Sequence, residues 1–493
     1  MNYPDRVLHM VSDLSSLRSS KFFPMFPGEP GGKIRKLFVV FCSIHFIYPS
    51  VLFLKYSIMK NPRQQYSEKV TSPHLAMEQV NSGDTIVYGM SIAQPPALLA
   101  ALARRARSGA VRDLKVYTFL PREHATTTVL SPDLCDCIEN YSWFVGAADR
   151  NSVKVGLNYH VPSYLHQIPQ IVSEYMNVDI AMATVSPVDK AGFFSLGTAN
   201  DYFSTAARHC KKLFVEVNRN MPRVFGDSLI HISEVDAVVE NHVPLMELRI
   251  ADPKPEDTII GPAIAEMVEN GATIQLGIGN LPNAVARYLT DHKDLGIHTE
   301  MFTEGMVNLI EEGAINGRRK SLHPCKHVFT TAAGTKRMYE FMDDNPSMES
   351  YSASYVCSPS VIAKNDRMFS INSVLEVDLL GQANAEFLEG STFSGTGGQL
   401  DFVRGAFASR GGKSILAFYS TAKGGTISRV VPRLASGSVI TTPRADTHYL
   451  ATEHGIVNLK GKSTRERALA IISLAHPKFR DDLMRQAEDM YLI

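Results

Sequence analysis

The chain has 493 residues, 44% of them hydrophobic and 20% charged, with 50 Lys and Arg balanced by 50 Asp and Glu. That length exceeds one ordinary hydrophobic core and predicts two domains of roughly 200 residues each. Charge balance, and the lack of any basic run interleaved with aromatics, argue against a nucleic-acid partner.

The six cysteines (Cys42, Cys135, Cys137, Cys210, Cys325 and Cys357) are too few and too scattered for a disulfide framework. They point to a reducing, cytoplasmic compartment. His323-Pro-Cys325-Lys-His327 has metal-ligating side chains, but no second cluster completes a four-ligand site, so no metal is expected.

Residues 1–60 read as a leader unlike the rest of the chain, crowded with Pro24, Pro27, Gly28, Pro30, Gly31 and Gly32. Residues 37–59 are apolar and aromatic, long enough to span a bilayer but interrupted by Ser43, His45, Pro49, Ser50 and Lys55. Basic residues flank both ends, so charge gives no orientation. The functional chain is expected to begin near Met59; a membrane tether through 37–59 is the alternative, and applies only if the leader is retained.

From there the chain divides into residues 61–251 and 252–493, with a boundary near Asp252-Pro-Lys-Pro-Glu256. The first half opens with a helix predicted to close at Gly83, a strand at Asp84–Gly89 and a helix from Pro95 to Leu102. The second half repeats this grammar: a helix closing at Gly271, a strand at Ala272–Gly277 and a helix from Pro282 to Leu289. Val268 stands for Val80, Thr273 for Thr85 and Ile274 for Ile86, which predicts a duplicated α/β unit. Val178–Val185 and Lys212–Val217 are apolar runs suited to buried parallel strands. Helices sandwiching mostly parallel sheets are expected in both halves.

Polar groups then gather at predicted strand ends. Leu295, Ile297, Thr299 and Met301 alternate with Gly296, His298 and Glu300, after which Met306, Val307, Ile310 and Ala314 follow a helical period. Glu300 therefore falls where a strand gives way to a helix, the end at which open α/β sheets bind ligands. Asn372 and Glu453 occupy similar places in their own stretches. Gly277-Ile278-Gly279-Asn280-Leu281 joins a strand to a helix and allows close backbone approach by an anion. Gly395-Thr-Gly-Gly398 is a second glycine-rich loop, either an anion-binding nest or a hairpin. Lys423 is a loop lysine or a phosphate contact. No Gly-x-Ser-x-Gly elbow and no activated cysteine is present, which leaves a carboxylate as the more attractive nucleophile.

Taken together, Gly277–Val285, Ile297-His-Thr-Glu-Met301, Glu376–Glu386, Gly395–Phe402, Thr452-Glu-His-Gly455 and Ala475–Arg480 resemble the acetyl-CoA hydrolase/transferase family. The resemblance runs from Tyr66 to Leu492. It implies two CoA-transferase-type α/β domains with the active site between them, and a catalytic glutamate, Glu300, that becomes acylated by CoA. It places Gly277 to Leu281 in the CoA-binding segment, Gly398 beside the thioester oxygen, Lys423 at a CoA contact, and Asn372 and Glu453 beside the nucleophile. CoA is then a co-substrate, with no permanently bound cofactor. The expected partners are an acyl-CoA and a small carboxylate, and a homodimer would be ordinary for such a fold.

The expected activity is CoA transfer between acetate and another short-chain acid. An acyl-CoA hydrolase using the same site is the alternative. A catalytically silent CoA-binding protein held at a membrane is a third reading, disfavoured by the intact Glu300, Glu453 and glycine loops.

Overall fold

The computed structural model describes residues 61–248 and 252–493. The apolar stretch 37–59 and the expected start at Met59 lie outside them. Among the described residues, no helix is long and apolar enough to cross a membrane.

Two large sheets carry the architecture. We number their strands β1 (Thr85–Tyr88), β2 (Leu114–Thr118), β3 (Ile138–Ser142), β4 (Asn158–His160), β5 (Ile180–Val185), β6 (Lys212–Val217), β7 (Phe225–Gly226) and β8 (Ala237–Glu240). The second half adds β9 (Thr273–Leu276), β10 (Gly296–Phe302), β11 (His327–Ala332) and β12 (Met348–Ser350). It ends with β13 (Met368–Ser373), β14 (Lys413–Ala417), β15 (Tyr449–Thr452) and β16 (Gly455–Asn458).

The first sheet runs β8-β6-β5-β1-β2-β3-β4 and is parallel throughout. The second runs β16-β15-β14-β13-β9-β10-β11-β12-β7, parallel except for the closing β15–β16 pair. Its edge strand β7 comes from the first half of the chain, so the two halves are stitched together by backbone hydrogen bonds.

The duplicated opening forms as the repeat predicts. β1 leads to helix α1 (Pro96–Arg107), and β9 leads to helix α2 (Asn280–Ala286). One expectation is corrected. The helices before these strands do not run to Gly83 and Gly271; they end at Met77 and Ala265. Bonds such as Val80 N–H to Met77 O and Val268 N–H to Ala265 O then tighten the chain into successive short turns. The two glycines act later, turning the chain into the strand at φ +85° and +77°.

Buried β-branched and aromatic side chains explain why the strands persist. β5, β9, β10 and β11 have no exposed residue, as parallel strands covered on both faces require. One apolar cluster includes Trp143 and Val215 from the first half together with Ile297 and Phe329 from the second. β10 lies between β9 and β11 near the middle of the larger sheet, with helix α3 (Glu304–Glu311) following it. In that sheet the strand order turns at β13-β9-β10, which opens a crevice at the carboxyl ends of these strands.

Helix α4 (Gln399–Ala408) covers β13 and β14, and its Gly405 lies against Ile362. A Cβ at Gly405 would come within 2.5 Å of Ile362 Cβ and Cγ2. Gly405→Ala should therefore lower the melting temperature through overpacking worth about 1–3 kcal/mol. Thermal unfolding of the variant checks this, and an unchanged midpoint would show that Ile362 yields freely.

Candidate active site

Glu300 lies near the end of β10, buried, with its carboxylate at the crevice. Its Oε2 accepts a hydrogen bond of 2.8 Å from the backbone N–H of Gly398. The sequence leaves no room for another residue there. A Cβ on Gly398 would lie 2.4 Å from Glu300 Oε2 and 3.4 Å from Cys357 Sγ. Gly398 has an ordinary φ of −94°, so close approach, and not backbone freedom, requires the glycine.

Burial raises the Glu300 pKa to about 7; the Gly398 N–H opposes this, and the charges of Asp401 and Asp201 add to it. Burial and the neighbouring Glu300 charge push the Cys357 thiol well above its ordinary value, so it stays protonated.

The loop presenting Gly398 is held by residues of the first half. Val145 N–H donates to Ser394 O at 3.3 Å, and Leu165 N–H donates to Gly397 O at 3.0 Å. Gly395 lies flat against the Trp143 carbonyl, where a Cβ would be 2.8 Å away. Asp401, in the first turn of α4, pairs with His166 Nδ1 at 2.7 Å. Gly395–Gly398 is thus the entry to a helix beginning at Gln399 and not a hairpin; contacts far apart in sequence fix it.

Opposite, the ends of β9 and β13 meet in an amide network. Asn372 accepts from Gln275 Nε2 at 3.0 Å and donates to Gln275 Oε1 at 3.1 Å, while Ser370 Oγ donates to the same Oε1 at 2.7 Å. Gly277 passes so close to Asn372 Oδ1 that a Cβ there would be 2.6 Å from it.

These elements line a cleft of about 770 Å³, a volume suited to a small-molecule ligand. Among its lining residues are Glu300, Asn372, Gly398 and all of Gly277, Ile278, Gly279, Asn280 and Leu281. Two other candidates are not in that lining. Lys423 lies in the connection between the short strands Thr421–Ala422 and Ile427–Ser428, exposed and paired with Glu389 at 3.0 Å. Glu453 follows β15 and accepts from the backbone N–H and hydroxyl of Ser420. Its charge is felt by Arg429, which does line the cleft.

Sequence reasoning did not single out Gln275, Arg429, or the first-half contributions Arg122, Phe144 and Arg150. Gln275 carried a usable signal, because it is a large polar side chain between two apolar ones in a buried strand. His323 Nε2 bonds the Tyr355 hydroxyl at 2.7 Å, while His327 is buried in its strand and burial lowers its pKa to about 4. Among the described residues, no group of three or more His, Cys, Asp or Glu side chains could share a metal ion.

Two mostly parallel sheets, joined over a cleft with a buried glutamate and two glycine loops, define the class of protein. The acetyl-CoA hydrolase/transferase N-terminal domain matches residues 55–247, and the C-terminal domain of the same family matches residues 334–487. The chain is 42% identical to the succinyl-CoA:cyclohexane-1-carboxylate CoA transferase of Geobacter metallireducens, over 87% of this chain and 97% of that one. It is 40% identical to the 4-hydroxybutyrate coenzyme A transferase of Clostridium kluyveri, over 85% and 97% of the respective chains. The crystal structure of RipA from Yersinia pestis superposes with a TM-score of 0.85 at 48% identity, covering 88% of this chain and all of that one. The protein belongs to the acetyl-CoA hydrolase/transferase family and is an enzyme of that family. Glu300 and Gly277–Leu281 fall between the two matched segments, so their placement rests on the geometry above.

The raised pKa has a thermodynamic signature. Folded Glu300 keeps its proton up to about pH 7, whereas the unfolded side chain releases it near the ordinary 4.5. Native protein therefore binds more protons across that window, and this group's contribution to stability falls as pH rises from 4.5 to 7. Glu300→Gln removes the dependence. Denaturant titrations from pH 5 to 8 should show the variant gaining on the wild type by up to about 3 kcal/mol; a pH-independent difference would contradict the assigned pKa.

Proposed function

We propose that the protein is an acyl-CoA:carboxylate CoA-transferase, moving CoA between acetate and another short-chain acid of the C2–C4 range through a thioester on Glu300. The observation that carries this reading is the Gly398 N–H bonded at 2.8 Å to a buried carboxylate at the head of the cleft. Similarity to proteins named as CoA transferases supports it.

The chemistry follows from the arrangement. A Glu300 oxygen attacks the thioester carbonyl; the C–S bond breaks and CoA thiolate leaves, giving a mixed anhydride. The thiolate then attacks the glutamyl carbonyl and breaks its C–O bond to the acyl group. This releases the first acid and leaves Glu300 as a CoA thioester. An incoming carboxylate reverses both steps and departs as the new acyl-CoA. Thioester energy is conserved, so the reaction needs no nucleotide or metal.

Each step places negative charge on an oxygen of a tetrahedral centre. When the attacked carbon is the glutamyl carbonyl, the Gly398 N–H already points at that oxygen, and such a donor is worth about 2.7–4 kcal/mol. Gly277–Leu281 offers bare backbone along the path the CoA arm would take. Asn372, fixed by Gln275 and Ser370, presents a rigid amide beside it. Burial keeps the carboxylate poorly solvated and hence reactive once ionised.

Glu300→Ala should abolish transfer from acyl-CoA to acetate. Borohydride reduction after incubation with acetyl-CoA should mark the Glu300 peptide in the wild type alone. Gly398→Ala keeps the N–H but would push Glu300 Oε2 off it through the added Cβ, and should lower kcat by about 10²–10³. CoA release that ignores added acetate would overturn transfer in favour of hydrolysis. Because the attacking form is the carboxylate, kcat/KM should rise about tenfold per pH unit below 7 and level off above it. A profile flat from pH 5 to 8 would remove Glu300 as the group that ionises.

A further inference from the structure

Asp401 stands three residues beyond the Gly398 donor, in the first turn of α4, and is 2% exposed. Its carboxylate is bonded from the first half of the chain. His166 Nδ1 lies 2.7 Å from Oδ1, and the His166 backbone N–H donates to Oδ2 at 3.4 Å. Tyr164 stacks against that imidazole with the two planes 7° apart. Arg404, one turn further along α4, is taken up by Asp446 at 3.0 and 3.2 Å.

The same short segment grips the Gly398 peptide from behind. Leu165 N–H donates to Gly397 O at 3.0 Å. That carbonyl shares one peptide plane with the Gly398 N–H, which reaches Glu300. Residues 165 and 166 thus fix both the donor on Glu300 and a buried acid close to it.

These two neighbours act on Glu300 with opposite sign. The Gly398 N–H favours a charged carboxylate, whereas the charges of Asp401 and Asp201 disfavour one. Cys357 stays protonated and adds no charge. Asp201 differs from Asp401 in its bonding: Oδ1 takes the Tyr202 N–H, and Oδ2 has no partner. Burial lifts its pKa to about 7, so it holds a proton readily. Burial acts on Asp401 as well, but there the His166 hydrogen bond and charge, and the charge of Arg404, pull the other way. Asp401 is therefore the acid equipped to stay ionised.

Loading CoA removes the charge that Asp401 opposes. One Glu300 oxygen leaves with the acetate, and the glutamyl carbon gains the CoA sulfur. The negative charge passes from a buried side chain to an acid released into water. A group that raises the free energy of the Glu300 carboxylate favours the uncharged thioester to the same extent.

We propose that Asp401, kept charged by its pair with His166, is a positioning residue that shifts the balance between free and CoA-loaded Glu300 toward the loaded form. This rests on the CoA-transfer reading of the Glu300 site.

An equilibrium titration tests it. Enzyme is mixed with acetyl-CoA and acetate in varied ratio at pH 8, where free Glu300 is ionised. After acid quenching, mass spectrometry reads the fraction carrying CoA on the Glu300 peptide. The acetyl-CoA:acetate ratio at half-loading depends neither on turnover rate nor on the fraction of enzyme that folds. Asp401→Asn, which keeps the side-chain shape, should raise that ratio on the order of tenfold, the change that one pKa unit represents. His166→Ala should raise it too, since burial then protonates Asp401. The imidazole is 29% exposed, so this second variant disturbs the core less.

Mere loosening of the loop would move the ratio the other way, because Glu300 would lose the Gly398 donor that favours its charged form. A ratio unchanged or lowered in Asp401→Asn, or in His166→Ala where Asp401→Asn does not fold, overturns the proposal. A wild type that carries no CoA on Glu300 at any ratio overturns the CoA-transfer reading itself, and this inference with it.

Discussion

The site depends on a carboxylate held inside a parallel sheet with one backbone donor. Burying an ionised group without partners is expensive, and the Gly398 N–H offsets only part of that cost for Glu300. The remainder appears as a pKa moved up to about 7. A group in this state changes charge easily near neutrality and has little water to shed before reacting. Its position in β10, with paired strands on both sides, keeps the backbone beneath it from yielding.

Because one donor matters so much, whatever fixes that donor matters equally. The Gly398 loop is tied to Val145, Leu165 and His166, all in the first half of the chain. The cleft itself is lined from both halves, by Arg122, Phe144 and Arg150 of the first and by Gln275, Asn372 and the Gly277 loop of the second. Strand β7 completes the dependence by joining the edge of the second sheet. Neither half on its own could hold the glutamate, the loop and the arginines in register.

This division explains what could be read from the chain alone. Glu300 was legible because its neighbours change from a two-residue to a helical period at Thr303, a local signal of a strand ending. The duplicated opening was legible because β1 and β9 need the same apolar pattern to be buried on both faces. Gly395–Gly398 could not be told from a hairpin, since Leu165 and Val145 decide its path and both lie far away in sequence. Arg122 was silent for the same reason: Ser91 and Gln94, which hold it in the cleft lining, lie about 30 residues before it. The family resemblance placed Lys423 at a CoA contact and Glu453 beside the nucleophile, but a resemblance carries no distance, and neither side chain lines the cleft.

A raised pKa does not by itself single out Glu300. Burial lifts Asp149 to about 6, and Asp201, Glu216 and Glu300 each to about 7. Glu216 is satisfied from within: Ala97 and Leu98 N–H donate to Oε2 at 2.9 and 3.1 Å, and Asn241 donates to Oε1 at 2.7 Å. Asp149 is met by the Gly146 N–H at 2.6 Å and Asn158 at 3.0 Å. Asp201 is closed off from solvent, with Tyr202 N–H on its Oδ1. Of the four, Glu300 alone lines the cleft, and it has one donor on one oxygen. Unmet bonding capacity facing open space, more than the shift in acidity, separates the carboxylate proposed to carry CoA from those that serve the fold.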